Sequence, residues 1–466
     1  MGNAPSPHPW RGHSHDHDYG RRIINLRNWP FVTGFRIIRI TSSFVVLLLF
    51  LFCLSYKQSA IPIWPRPLLE TPNSKHPFGP LRFHKDGTFH VSIFEDLHFG
   101  ENAWETWGPQ QDKASIRVIS TILDAEPSTS LVVLNGDLVT GENTFLHNST
   151  HYLDQIVSPM VDRNLTWAST YGNHDSDFNL SRSALFSREK RYPNSRTTQM
   201  VSSLNDEAGI TNYFLPVYPS SCPSSAGARG SGTPSKPSCV PLLVLYFFDS
   251  RGGFRFQEPD RRGQENWVHP SVASWFKRAT SSSSSSTALF PRGTPSLAFV
   301  HIPPNATRGL QESGIHPHRH PGINQDVPAS RQAQGWCEDG GQLELRGAGC
   351  SYGGQDAPFM QALQETPGLL AVFFGHDHGN TWCKNWGVNN TVRLCYGQRT
   401  GYGGYGNWVR GARQVVVSVE GLRERELDTW IRLETGKAVA RMRLNESYGE
   451  DWYEKVEDER TCLGCG

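Results

Sequence analysis

The chain has 466 residues, of which 37% are hydrophobic and 19% are charged, enough to bury the core of one large domain or two small ones. Its formal net charge of +1 gives no bulk electrostatic attraction to nucleic acid, so a nucleic-acid partner is not expected.

The N-terminal part contains an apolar run, "ITSSFVVLLLFLFCL" at residues 40–54. It is shorter than the roughly 20 residues usually needed to span a bilayer. Five arginines lie within residues 21–39, whereas only Lys57 and Arg66 follow closely. This asymmetry predicts a cytosolic tail (1–39), a signal anchor (40–56) and a single-pass membrane protein whose remaining chain is lumenal or extracellular. A cleaved signal peptide, and hence a secreted protein, is the alternative.

Cysteines and glycosylation sequons independently favour translocation. Eight cysteines follow the apolar run, and an even number there predicts disulfides. Pairing of sequence neighbours, Cys222 with Cys239 and Cys383 with Cys395, is the simplest arrangement. We interpret the pair Cys462 and Cys465 as a structural bridge rather than a redox or zinc site. Six sequons also follow the run, at Asn148, Asn164, Asn179, Asn305, Asn389 and Asn445.

The remaining chain divides by composition. Residues 57–84 contain six prolines and predict a stalk. A single ordered domain is predicted over 85–450, followed by a C-terminal tail, 451–466, with the last cysteine pair. Two low-complexity stretches, 219–239 and 279–288, are expected to be surface loops.

Within this domain, apolar runs alternate with amphipathic stretches. "TFHVSIF" at 88–94 predicts a strand, and Ile116, Ile119 and Leu123 predict a helix over 112–126 that stops at Pro127. Further strands are predicted at 131–135, 165–170, 241–248, 297–300 and 369–374, with a helix around residues 152–160. Continuous apolar strands separated by amphipathic helices indicate an α/β fold with a sheet buried on both faces.

Polar side chains follow five of these strands. In chain order they are Asp96 and His98, Asp137, Asn173, His301, and finally His376 and His378. Open α/β sheets place their sites beyond the carboxyl ends of strands. Carboxylate, amide and imidazole ligands suit Mn, Fe or Zn, and the absence of cysteine argues against a zinc finger. Taken singly, each could instead be a satisfied buried polar residue, or an N-cap in the case of Asp96.

Three further histidines, His316, His318 and His320, compete with this set for metal binding. No apolar strand precedes them, so we expect a surface loop there.

The five blocks "FEDLHFG", "LNGDLVTGEN", "YGNHDSD", "FVHIPP" and "FFGHDHG" resemble, in that order, the signature of the calcineurin-like metallophosphoesterases. The resemblance covers about residues 85–450, and the flanking text is similar to the eukaryotic branch related to the smaller purple acid phosphatase-like proteins. It implies a four-layer α/β/β/α sandwich holding two metal ions, both bound by Asp137. Asp96, His98 and His378 would complete one site, and Asn173, His301 and His376 the other.

Two departures from true purple acid phosphatases matter. Thr140 stands where those enzymes place a tyrosine, and they lack the histidine that stands here as His98. No tyrosinate-to-iron charge transfer is therefore expected.

The resemblance also implies the chemistry, which is hydrolysis of phosphate esters by a hydroxide formed between the metals. We expect phosphomonoesters, either a phosphoprotein or a small molecule, as substrates. A phosphodiesterase of the same fold and a non-catalytic lumenal binding protein are the alternatives. His174 is predicted to be the general acid, since it adjoins Asn173 but is not needed for coordination.

The sequence also offers candidates for the residue that orients His174 and for the residue that binds the substrate. Asp175 could orient the ring of His174. In related phosphatases an Asp shortly after the bridging one does so, but Thr140 occupies that position here. Arg399, in "GQRTGYGGYG", is predicted to bind substrate, because Gly-rich backbone beside a guanidinium suits a phosphate; Arg251 and Arg410 are the alternatives.

Overall fold

The computed structural model describes residues 76–203, 206–222, 239–258, 263–281, 290–326, 333–336, 351–387 and 392–461. All of them belong to the second of two compact units, Pro67–Gly466. The predicted membrane segment 40–56, the sequon at Asn389 and the pair Cys462 and Cys465 lie outside these ranges. Among the helices inside them, none has the length and apolar character required to cross a bilayer.

Thirteen strands are present in the described ranges. They are β1 (Leu81–Arg82), β2 (Thr88–Phe94), β3 (Leu131–Asn135), β4 (Trp167–Thr170), β5 (Tyr213–Tyr218), β6 (Leu243–Phe248), β7 (Ser296–Val300), β8 (Leu369–Phe374), β9 (Cys383–Trp386), β10 (Val392–Tyr396), β11 (Gly411–Ser418), β12 (Leu427–Leu433) and β13 (Ala438–Leu444). They form a seven-stranded sheet in the order β1-β5-β6-β7-β8-β10-β9 and a six-stranded sheet in the order β13-β12-β11-β2-β3-β4. Both sheets mix parallel and antiparallel pairs.

Seven α-helices accompany the strands in the same ranges. They are α1 (Gly108–Ala125), α2 (Tyr152–Asp162), α3 (Arg182–Glu189), α4 (Pro270–Thr280), α5 (Ala306–Glu312), α6 (Ala357–Gln364) and α7 (Val419–Glu424). Helix α1 begins four residues before its predicted start. Pro109 lies in its first turn, where the missing N–H costs no hydrogen bond.

Three apolar clusters fill the space between the layers. One lies between the two sheets and includes Phe89 and Phe299. A second joins the outer face of the seven-stranded sheet to α4 and α6 through Phe276. The third joins the six-stranded sheet to α1 and α2 through Ile119 and Ile156. The result is the helix/sheet/sheet/helix sandwich that the family resemblance implied, and it explains why β3 and β8 are buried along their whole length.

The domain extends beyond both predicted boundaries. β1 pairs in parallel with β5, so the end of the predicted stalk 57–84 belongs to a sheet. At the other end, Val409 N donates to Glu459 O, so part of the predicted tail 451–466 packs on the domain. Short edge pairings of this kind leave no periodicity long enough to detect in the sequence.

Two of the predicted disulfides are present. Cys222 is bonded to Cys239, with Cα atoms 5.9 Å apart, and Cys383 is bonded to Cys395, with Cα atoms 4.1 Å apart. The second joins the neighbouring strands β9 and β10 at directly opposed positions.

Candidate metal centre

The predicted ligands meet at one edge of the sandwich. β2, β3 and β4 are parallel neighbours in one sheet, and β7 and β8 are parallel neighbours in the other. Their carboxyl ends therefore lie at a common edge, where the loops that follow them carry the polar blocks. His301 spans the two sheets, because its Nε2 lies 2.9 Å from Asp137 Oδ2, beyond β3, and 3.8 Å from Asp96 Oδ1, beyond β2.

Three overlapping groups of metal-capable side chains lie there, and two of them consist of predicted ligands alone. One of these two contains Asp96, His98 and His378, and the other contains Asp137, His301 and His376, whereas the third group combines His98 and Asp137 with His174. Within each group, one ligand atom per residue lies within 4.8 Å of the others. Asp137 also approaches the first cluster, since its Oδ2 is 3.7 Å from His98 Nε2. The structure thus puts Asp137 between the two groups, in the position that the resemblance gave to a shared ligand.

The backbone at these residues adopts an unusual conformation. Asp96, His98, Asp137 and His376 have φ values of 52°, 48°, 49° and 76°, in the left-handed region that non-glycine residues avoid. Such conformations concentrate at functional sites, where the surrounding fold holds them. Close packing adds to this constraint, because a Cβ on Gly172 would lie 2.2 Å from Asp137 Oδ1.

Hydrogen bonds fix the orientation of three imidazoles. Nδ1 of His301 lies 2.8 Å from Asn135 O, and Nδ1 of His378 lies 2.8 Å from Tyr405 O. Because a carbonyl only accepts, both Nδ1 atoms carry the hydrogen, and each Nε2 is the ring nitrogen that faces the site. His98 Nδ1 is held by Thr140 Oγ1 at 3.1 Å.

The donor atoms lie against one another. His98 Nε2 and His378 Nε2 are 3.2 Å apart, and His301 Nε2 contacts the Asp137 carboxylate. Among the described residues, Asn173 Oδ1 is a buried polar atom with no hydrogen-bond partner. Buried polar groups are ordinarily satisfied, so converging lone pairs of this kind fit bound cations. The residues present therefore suit two metal ions, with a nitrogen and oxygen donor set.

The protonation states are consistent with this arrangement. Burial holds the pKa of His98 and of His378 well below the usual value, so both rings are neutral. Burial opposes the ionisation of Asp137, but the neighbouring His301 and His174 hold its pKa well below the usual value. Burial also lowers the pKa of His301, yet the carboxylates of Asp137 and Asp96 outweigh it and raise that pKa to about 9. A cation between them can take the place of that proton.

His174 lies beside Asp137 and close to His98, although it is not one of the predicted ligands. Its N–H donates to Asp137 Oδ1 at 2.9 Å, and its ring centroid is 4.9 Å from that of His98. Its Nδ1 lies 2.5 Å from Glu142 Oε1, and both side chains are about a quarter exposed, at 26% and 27%. Burial lowers the pKa of His174, but Glu142 and Asp137 outweigh it and raise the pKa to about 10.

The expected orienting role of Asp175 is not what the structure shows. Asp175 Oδ1 accepts from Leu138 N and Val139 N, each at 2.9 Å, and its Oδ2 accepts from Gly172 N at 2.8 Å. Its carboxylate therefore ties together the loops that carry Asp137 and Asn173. Glu142 holds the His174 ring instead, because the 3-10 turn Gly141–Asn143 brings it back toward the site.

A family model, calcineurin-like phosphoesterase, matches residues 93–380 and so covers all five blocks. The chain belongs to the calcineurin-like phosphoesterases. The family uses two metal ions, which the two clusters could hold, and the chain is accordingly a phosphoesterase, a hydrolase of phosphoester bonds.

Curated relatives of this phosphoesterase come from plants and yeast. "Probable inactive purple acid phosphatase 29" of Arabidopsis thaliana is 25% identical over 76% of this chain and 84% of its own length. "Phosphatase DCR2" of Saccharomyces cerevisiae is 24% identical over 75% of this chain and 54% of its own length. Among solved structures, a dimetal phosphatase from Danio rerio is 11% identical, with a TM-score of 0.38, covering 77% of this chain and 99% of that one.

The predicted substrate-binding role of Arg399 does not fit its surroundings in this phosphoesterase. Its side chain is buried, and burial lowers its pKa to about 9. Nη1 donates to Gly406 O at 2.7 Å and to Tyr405 O, and Nη2 donates to Gly403 O. The guanidinium thus supports the Gly-rich loop from behind.

The alternative cations are engaged in the same way. Arg251 Nε donates to Trp267 O at 2.8 Å, and Arg410 Nη1 donates to Trp408 O. Both side chains are buried, so neither faces the edge as an open phosphate ligand.

The competing histidines lie on the surface, as expected. His318 stacks on Trp452 with ring centroids 4.3 Å apart, and its Nδ1 lies 2.9 Å from Tyr453 O. Within the described ranges, the groups of side chains able to hold a metal do not include His316, His318 or His320.

Proposed function

We propose that this phosphoesterase hydrolyses phosphomonoesters and that His174 protonates the departing alcohol oxygen. The observation that carries the proposal is the pair of His174 and Glu142, 2.5 Å apart on the flank of Asp137. This pair of side chains adjoins both groups of predicted ligands. The His174 side chain is nevertheless about a quarter exposed, so a leaving alcohol can reach it.

The chain's own residues divide the work. Asp96, His98 and His378 would hold one cation, and Asn173, His301 and His376 the other, with Asp137 shared between them. When bound, such a pair supplies Lewis-acid activation of water and of the phosphoryl oxygens.

His174 would supply the proton for the leaving group. With Nδ1 engaged by Glu142, Nε2 is the nitrogen left to give a proton. The carboxylate keeps the ring charged, since it raises the pKa of His174 against the effect of burial. Proton donation of this kind contributes roughly 10²–10⁴ in rate.

The test is His174→Asn, assayed on two leaving groups. An alkoxide leaves poorly without a proton, whereas a nitrophenolate needs little help. The variant should lose roughly 10²–10⁴ in kcat on ethyl phosphate and noticeably less on nitrophenyl phosphate. His84→Asn is the matched control, because His84 is exposed at the opposite end of β2 and should change neither rate.

Two outcomes would contradict the proposal. Equal losses on both substrates would remove the acid role from His174. A wild-type preference in kcat/KM for bis-nitrophenyl phosphate over nitrophenyl phosphate would replace the monoesterase by a diesterase of the same fold.

We also propose that the segment 40–56 anchors the protein in a membrane, with the catalytic domain lumenal or extracellular. The two disulfides support this, because such bonds persist in oxidising compartments. Protein from its native host should gain gel mobility on endoglycosidase treatment and retain residues before 54. A chain starting beyond residue 54 would mean secretion, and unglycosylated, fully reduced protein would exclude translocation.

A further inference from the structure

Exposed apolar side chains gather at the edge that carries the ligands. Trp104 is 55% exposed, Trp107 40%, Phe145 43% and Leu146 53%. The two tryptophans follow the block of Asp96 and His98, and the other two follow the block of Asp137. We call these four side chains the aromatic rim. Single exposed apolar residues are ordinary on a protein surface, but a cluster beside a reactive site indicates binding.

The aromatic rim lies on the side of the site occupied by His174. The ring of Phe145 is edge-to-face with that of Trp104, with centroids 6.1 Å apart. Phe145 is three residues beyond Glu142, which holds His174, and three residues span at most about 11 Å. Phe145, and Trp104 in contact with it, therefore lie within reach of the loop that holds His174.

Hydrogen bonds hold these loops in position. Gly100 N donates to Asp112 Oδ1 at 3.1 Å, and Glu101 accepts from Gly404 N, which fixes the loop before Trp104. Phe145 N donates to Asn148 Oδ1 at 3.2 Å. The backbone is thereby held at Gly100 and Glu101, just before Trp104, and at Phe145, and a held backbone lowers the entropy cost of binding.

The charge of the two loops limits what can bind. Residues 99–107 and 141–148 contain no lysine or arginine, but they contain Glu101, Glu105 and Glu142, of which Glu142 pairs with His174. His147 stacks on Phe145 with ring centroids 5.8 Å apart. A leaving group with a second phosphate or a carboxylate would meet like charge there. A neutral apolar group would instead bury surface against the rings.

We propose that the aromatic rim binds the leaving alcohol of the substrate, and that this alcohol carries a neutral aromatic or branched apolar group. The inference rests on the proposed function, since His174 defines the leaving side. In the reaction, a water oxygen bonds to phosphorus and the ester P–O bond breaks. His174 gives its proton to the alcohol and regains one from the water, leaving the free alcohol and inorganic phosphate.

The test compares 2-phenylethyl phosphate with ethyl phosphate, whose alkoxides have similar basicity and so need the same proton donation. Wild type should prefer the phenylethyl ester in kcat/KM by roughly 10-fold, the scale expected for partial burial of one ring. The double variant Trp104→Ala/Phe145→Ala should lose that preference while keeping kcat on ethyl phosphate within about twofold. Trp452→Ala, which removes an exposed tryptophan stacked on His318, should keep it.

The outcomes separate the two proposals. If no monoester is hydrolysed by metal-loaded wild type, the proposed function itself fails. If ethyl phosphate is hydrolysed but wild type shows no preference, or the double variant keeps it, the rim proposal is overturned alone. If the double variant loses the binding to phosphatidylcholine vesicles that wild type shows, but keeps the preference for the phenylethyl ester, the rim proposal is also overturned. The rim would then be a membrane contact. Phe145→Leu, which keeps an apolar side chain, should retain part of the preference if the double variant folds poorly.

Discussion

Glu142→Gln is the change that tests the His174 pair most sharply. Glutamine keeps the size of the side chain and an oxygen that can accept from Nδ1, but it removes the negative charge. Because Glu142 is the first neighbour to raise the pKa of His174 against burial, that pKa should fall in the variant. Charged His174 is present below its pKa, so the variant should lose its acid at a lower pH than wild type.

The magnitude follows from the contact. Hydrogen bonds to charged groups contribute roughly 1.5–3 kcal/mol when well buried. Both side chains are about a quarter exposed, so solvent screening reduces this to about 1–2 kcal/mol. Since about 1.4 kcal/mol is one pKa unit, the alkaline limb on ethyl phosphate should move down by roughly 0.7–1.5 pH units, so kcat should be nearly unchanged at pH 8 and fall roughly 3- to 16-fold at pH 10.

The assay is a pH profile of kcat on ethyl and nitrophenyl phosphate, with metal content measured in parallel. The alkaline limb should move to lower pH on ethyl phosphate, with a smaller change on nitrophenyl phosphate and little loss at pH 5. Glu105→Gln removes an exposed carboxylate from a neighbouring loop and should leave the profile unchanged. A uniform loss at every pH, or a loss of metal, would refute the orienting role of Glu142.

Further predictions concern the metals and the loops. Asp137→Ala should remove both metals together, because its carboxylate adjoins both clusters. If elemental analysis of the variant finds two metals retained, Asp137 is not a shared ligand. As a control, joint change of His316, His318 and His320 to Ala should leave the metal content unaltered. Asp112→Asn should stabilise the protein increasingly as pH rises. Burial raises the pKa of Asp112 to about 7, so the folded state favours the neutral acid and loses stability as pH rises from about 4 to about 7, above which the loss levels off. Between pH 5 and 8 the stability gap between variant and wild type should widen by up to about 3 kcal/mol; parallel unfolding curves at the two pH values would count against it.

Much of the fold could be predicted from the sequence, because strands that are buried on both faces appear in the sequence as apolar runs. "LVVLN" and "LLAVFF" coincide with β3 and β8, since both strands are covered on both faces. Strands without such a run could not be found in this way. β1 has two residues, and β9, "CKNW", lies at the edge of its sheet. Their place depends on pairing with distant strands, which composition does not reveal.

The convergence of these polar side chains was predictable for a similar reason. Each predicted ligand follows closely on an apolar strand, so its position depends on local sequence and on parallel pairing. The positions of the residues that support these side chains, in contrast, cannot be read from the neighbouring sequence. Arg399 looks like a phosphate ligand in a Gly-rich loop, but the loop folds back so that its carbonyls take the guanidinium. Only the three-dimensional path of residues 402–406 distinguishes these cases.

Glu142 and Thr140 show how a departure from a family pattern can preserve a role. Thr140 occupies the position at which related phosphatases have the Asp that orients the catalytic histidine. Taken alone, this replacement would suggest a weakened general acid. In the structure, the Thr140 hydroxyl orients His98, a histidine that true purple acid phosphatases lack. The carboxylate two residues further on, at Glu142, lies against His174. Two imidazoles are thereby oriented by two side chains of one loop, and the threonine is no evidence of a degenerate site.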